Sequence, residues 1–156
     1  MLQERFMRRA IALSLENVRS GRGGPFAAIV VRGDEVIGEG TNQVTFTNDP
    51  SAHAEMLAVR TDCSVLKHFQ LAGCEIYTSC EPCPMCLGLI YWARPDKVYY
   101  ANTAADAAAI GFDDSRIYRE LASPPAQRSI AMFQILRNEA LAAFRAWQAK
   151  ADKIAY

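Results

Sequence analysis

Apolar residues at Leu2, Phe6, Ala10, Leu13 and Val18, with charges between them, predict an amphipathic helix over residues 2–20. Gly21, Gly23 and Gly24 stop it, and Pro25 opens a new element. Residues 26–32 are an almost unbroken apolar run, β-branched toward the end, and read as a buried strand. Gly33-Asp34 reads as a hairpin turn, and residues 35–42 as the returning strand, punctuated by Gly38 and Gly40. Residues 43–51 form a polar loop. Within it, Asp49 reads as the cap of a helix that starts at Pro50 and runs to Leu66, with Met56, Val59 and Cys63 facing inward.

Residues 74–78, 83–93 and 97–101 read as strand, helix and strand, with Pro95 ending the helix. A crossover through one helix makes the two strands parallel. Residues 103–110 predict a short helix rich in alanine, broken by Gly111-Phe112-Asp113-Asp114, and 117–121 a further helical turn. Residues 130–136 read as a last strand. A final amphipathic helix over 138–154 puts Leu141, Phe144, Trp147 and Ile154 on one stripe. The sum is one α/β domain spanning residues 1–156, a mixed five-stranded sheet between helices in a three-layer α/β/α sandwich.

Composition changes this picture in two ways. Seventeen Lys and Arg balance seventeen Asp and Glu, so the chain lacks the basic excess of a nucleic-acid binder. The one crowding of like charge, Arg5, Arg8 and Arg9, alternates with apolar residues and reads as the wet face of the first helix. No apolar run approaches the roughly 20 residues of a membrane span, and the N-terminus lacks a signal peptide's apolar core. A cytoplasmic protein is expected, without nucleic-acid or membrane partners. Five cysteines, three of them at Cys80, Cys83 and Cys86, suit metal ligation in a reducing compartment better than a disulfide framework.

Those cysteines carry the chemistry. Cys83 and Cys86 are three apart, so a helix starting near Cys83 places both sulfurs on one face of its first turn. The partial positive charge of a helix N-terminus favours thiolate. Two thiolates and one imidazole suit a zinc ion with a fourth position open, and His53 is one of only two histidines. Glu55, two residues on, can stand beside the metal and move protons. Three other readings remain. Cys80 as a fourth ligand would close the site and make the zinc structural. An iron–sulfur cluster needs a further cysteine where Ile90 and Tyr91 stand. A thioredoxin-like Cys80–Cys83 pair leaves Cys86, His53 and Glu55 without a role. Cys63 and Cys74 read as small core residues and His68 as exposed.

His53-Ala54-Glu55 with Pro82-Cys83-Pro84-Met85-Cys86 is the pattern of the zinc deaminases of nucleobases. From about Arg5 to Tyr156 the chain resembles the bacterial guanine deaminase family, within the cytidine deaminase-like superfamily. The narrower features are Gly23-Gly24-Pro25-Phe26, Asn48-Asp49-Pro50, Ile90-Tyr91-Trp92-Ala93-Arg94-Pro95, Gly111-Phe112-Asp113-Asp114, and Phe144-x-x-Trp147 leading to Tyr156.

The resemblance implies one Zn2+ per subunit on His53, Cys83 and Cys86, with Glu55 as proton shuttle. It implies that Asn42, Phe26 and Ala54 meet the purine, and that Asp114 serves the exocyclic amine or a second proton path. It also implies a domain-swapped homodimer in which a C-terminal segment of about residues 130–156 crosses over, with Trp92 and Tyr156 helping to close a site. The expected reaction is hydrolysis of guanine to xanthine and ammonia. Alternatives are guanosine, an aminotriazine, or an adenosine in tRNA. Taken alone, Phe26 equally suits the core, Asp114 a solvated turn, and Tyr156 a loose end.

Overall fold

The computed structural model describes residues 2–156, with Leu2 described by its backbone only, so its place in the predicted stripe lies outside the described side chains. The chain forms two compact units, one up to Asp114 and one of Ser115–Tyr156.

The first unit is built on β1 (Ala27–Arg32), β2 (Glu35–Thr41), β3 (Cys74–Cys80) and β4 (Lys97–Asn102), in the order β2-β1-β3-β4. β1 pairs antiparallel with β2 and with β3, and β3 pairs parallel with β4 across the helix α4 (Pro84–Ala93). The sheet is mixed, as expected, but has four strands among the described residues, not five. Strand alternation sends Ala28, Val30 and Ile76 to one face and Ile29, Val31 and Tyr77 to the other. On the first face they meet α3 (Ala54–Leu66) and α4, through Ala54, Ala58, Val59, Ile90 and Ala93. On the second they meet Phe6, Met7 and Leu13 of α1 (Leu2–Arg19). Both faces are covered, which gives the expected three-layer α/β/α sandwich.

Two differences in these elements matter for the site. α3 begins at Ala54, not at Pro50. The Asp49 carboxylate accepts from the Ser51 N–H and hydroxyl, both within 2.8 Å, and so folds a local turn instead of capping a helix. The loop before it holds a short helix, α2 (Val44–Thr47). In α1 the buried stripe runs Phe6, Ala10, Ser14, Asn17, and Val18 is exposed, so the inner face turns polar where the helix ends.

Gly38 and Gly40 lie on one face of β2 and let α3 come close. A Cβ on Gly40 would stand 2.1 Å from the Ala54 carbonyl oxygen, and one on Gly38 would stand 2.0 Å from Asp62 Oδ1. Asp62 is inward-facing and fully buried, a feature the sequence pattern hid.

β4 is followed by α5 (Ala104–Ala109), capped by a reciprocal Thr103–Asp106 pair. The second unit holds α6 (Ser115–Ala122), a 3-10 turn at Pro125–Gln127 and α7 (Arg137–Ala149). The strand expected at residues 130–136 does not form. These residues have no ladder partner, Ile130 and Phe133 are 76% and 85% exposed, and Leu136 turns left-handed at φ 52°. Apolar alternation creates a strand only where an edge is there to pair with. Phe144 and Trp147 of α7 are exposed as well.

Candidate active site

The N-termini of α3 and α4 face each other and present three ligand atoms. His53 and Cys83 are the N-cap residues of the two helices, both in extended conformation (φ −74°, ψ 154° and φ −66°, ψ 167°). Neither side chain bonds back to its own helix as a cap normally does. The imidazole and the thiol therefore stay available. Pro84 at the first helical position presets the backbone, and Cys86 returns to the same face within the first turn.

His53 Nδ1 lies 3.5 Å from Cys83 Sγ and 3.6 Å from Cys86 Sγ. Tetrahedral zinc with Zn–N near 2.0 Å and Zn–S near 2.3 Å requires an N···S separation of about 3.6 Å. Among the described residues these three form the one group whose ligand atoms lie within 4.8 Å of one another. Cys80 is not in it; its Sγ donates instead to the Thr103 carbonyl at 3.6 Å. The residues fit zinc with three protein ligands, the arrangement of catalytic sites.

The electrostatics agree with a thiolate site. The hydrogen bond from Cys86 first, and then that from His53, holds the Cys83 thiol below its usual range and favours its thiolate. The same bond to Cys83, with burial, raises Cys86. The bond to Cys83 also raises His53.

Glu55 is 6% exposed, and burial is the main force raising its pKa. The Thr78 hydroxyl donates to Glu55 Oε1 at 3.3 Å. Nothing singled Thr78 out in advance, although two hydroxyls, Thr78 and Ser79, ending an apolar strand were a visible signal. Ser79 is used too: its Oγ accepts from the Ala27 N–H at 3.0 Å and ties β3 to the start of β1.

The remaining expected site residues divide. Asn42, just past β2, is buried, and its Oδ1 faces the N–H groups of Gly24 and Val44 at 3.4 and 3.3 Å. Both neighbours are donors, so the oxygen is turned inward and Asn42 is left to act as a donor through its NH2. Phe26 meets Phe112 edge to face, with ring centres 4.9 Å apart. Ala54 is buried against β2. Asp114 is half-buried and within electrostatic reach of Cys83; burial first, then that thiolate, raises its pKa. Trp92 is 61% exposed, six residues beyond Cys86 on α4, about 9 Å along the helix axis. Tyr156 is exposed in the second unit.

Residues 1–102 match the family model of the cytidine and deoxycytidylate deaminase zinc-binding region. The chain belongs to this family of zinc-binding deaminases. Its cofactor is zinc, and His53, Cys83 and Cys86 form the group that could hold it. Within the family it is 51% identical, over the full length of both proteins, to guanine deaminase from Bacillus subtilis (strain 168). The X-ray structure of the Bacillus subtilis enzyme superposes with a TM-score of 0.95, at 52% identity over 98% of each chain. A guanine deaminase structure from Nitrosomonas europaea superposes at 0.67, with 31% identity over 93% of this chain and 84% of that one. A tRNA-specific adenosine deaminase from Haemophilus influenzae is a more distant relative, 30% identical over 87% of this chain and 86% of its own.

Proposed function

We propose that this deaminase hydrolyses guanine to xanthine and ammonia. The observation that carries the reading is a catalytic zinc ligand set with a buried carboxylate beside it, in a chain 51% identical to a guanine deaminase over its whole length. Zinc supplies a water acidic enough to give hydroxide near neutral pH. The chain does the rest. Asn42 donates through Nδ2 to an acceptor of the purine, and Phe26, braced by Phe112, packs on its face. Thr78 fixes one oxygen of Glu55, and the other moves protons. The C–N bond to the exocyclic amine breaks as a C–O bond forms. One proton of the attacking water ends on the leaving amine and the other on the ring. Asp114, whose pKa is raised by burial first and then by the Cys83 thiolate, serves as a second proton group at the amine.

The protein acts in the cytoplasm as a domain-swapped homodimer, with about residues 130–156 of each chain on the other and Trp92 and Tyr156 closing the site. Two features support this. Ile130, Phe133, Ile135 and Phe144 expose apolar surface that a monomer rarely leaves uncovered. β4 is an edge strand that a strand from a second copy could extend. Gel filtration with light scattering should give twice the chain mass; a monomer would refute the swap.

The activity is tested by an ammonia-release screen over guanine, guanosine, adenine, cytosine, aminotriazines and tRNA. Guanine should lead by at least tenfold. A lead for guanosine, an aminotriazine or tRNA would replace this reading.

A further inference from the structure

Asn17 is 3% exposed, two residues before the end of α1, and no motif accounts for a polar residue there. Its Nδ2 donates to two carbonyl oxygens, those of Gly24 and Asn42, each at 2.9 Å. Both neighbours only accept, so the NH2 group is the one that faces them. The two carbonyls belong to the two segments that carry Phe26 and Asn42. Those segments are also tied to each other, since the Asn42 N–H donates to the Phe26 carbonyl at 3.0 Å, while the Phe26 N–H closes a local turn onto the Gly24 carbonyl at 2.8 Å. Gly23 leaves room for this meeting, since a Cβ there would lie 2.1 Å from the Asn42 carbonyl oxygen.

We propose that Asn17 is a positioning residue, holding through its side-chain amide the two segments that present Asn42 and Phe26 to the purine. The assignment rests on the reading of this site as one that binds guanine. One planar amide spans the gap between the segments, alongside the longer contacts of the Asn42 side-chain oxygen with the Gly24 and Val44 N–H groups. Without it, the buried Asn42 carbonyl loses this donor and the Gly24 carbonyl keeps only the Phe26 N–H, so the Asn42 segment gains freedom to shift. A shift of about 1 Å at a group that orients substrate can cost a hundredfold. The zinc ligands stand on α3 and α4, which Asn17 does not touch through any of these bonds.

The test is a double-mutant cycle with guanine as substrate, comparing wild type, Asn17→Ala, Asn42→Ala and the pair, each assayed for zinc content and melting temperature. Asn17→Ala should keep one zinc per chain, raise KM about tenfold and leave kcat within about twofold. Added to Asn42→Ala it should worsen kcat/KM by less than it does in the wild type, because Asn17 acts partly through Asn42 and partly through Phe26. Calorimetry of xanthine binding to the zinc-loaded proteins should show the same loss of affinity for Asn17→Ala. Asn17→Ser retains one donor, which reaches one of the two carbonyls, and should fall between wild type and Asn17→Ala; it takes the place of Asn17→Ala in the cycle if that variant does not fold. Effects of Asn17 and Asn42 that multiply in an active enzyme would overturn the positioning role alone. A wild type that neither releases ammonia from guanine nor binds xanthine would overturn the guanine reading together with this one.

Discussion

Asp62 offers the sharpest quantitative test of how this fold is held together. It sits on the inner face of α3, is 0% exposed, and neither of its oxygens has a hydrogen-bond partner among the described residues. Its carboxyl fills the space that a side chain on Gly38 would take. Burial pushes its pKa from 3.8 up to about 7. A carboxyl raised in the fold favours the folded state only while it is protonated. Below about pH 4 it is neutral in both states and costs nothing through ionisation. As pH rises from there to 7 the unfolded chain ionises and the folded chain does not, so stability falls. Above pH 7 both are ionised and the loss levels off at about 4 kcal/mol.

The perturbation is Asp62→Asn, which keeps the shape and removes the titration. Any constant difference between amide and neutral acid is the same at every pH. Between pH 5 and pH 8 the variant should therefore gain about 3 kcal/mol on the wild type, about 8 °C in melting temperature for a chain of this size. Differential scanning calorimetry of both proteins at the two pH values reads this directly. A gap that stays constant, or that narrows toward pH 8, would refute a buried, unpaired carboxyl at this position.

Two other substitutions probe what builds the site. Gly40→Ala places a methyl 2.1 Å from the Ala54 carbonyl oxygen and 2.6 Å from the Ala58 N–H nitrogen, so the start of α3 must move. It should cost about 1–3 kcal/mol and lower zinc content, since His53 caps that helix; a variant as stable and as zinc-loaded as wild type would mean the helix is not held this close. Cys86→Ser should lose zinc on dialysis against a mild chelator while Cys80→Ser keeps one ion per chain, as read by metal analysis; zinc loss from Cys80→Ser would put Cys80 in the coordination sphere.

The zinc ligands were legible in the sequence because their spacing is a local matter. Cys83 and Cys86 share a helical turn whatever the rest of the chain does, and the histidine–glutamate pair is equally compact. The start of α3 was misplaced by four residues because Asp49 caps a turn as readily as a helix, and only the contest between the two decides. Residues 130–136 carry strand-like residues without a strand, since pairing is a property of an edge elsewhere. Asn17, Thr78 and Asp62 escaped notice for a common reason. Each is a polar residue that the fold buries, and sequence pattern alone says neither that it is buried nor whether it finds a distant partner, as Asn17 and Thr78 do, or none, as Asp62 does.

The central claim is that Glu55 moves protons beside a zinc held by His53, Cys83 and Cys86, without itself holding the metal. Steady-state turnover of guanine by Glu55→Gln, measured on protein shown to carry one zinc per chain, tests it most directly. The substitution keeps size and burial but removes the exchangeable proton, so kcat should fall about a hundred- to ten-thousand-fold with zinc retained. Turnover within a few-fold of wild type, or loss of the metal along with the activity, would contradict the account.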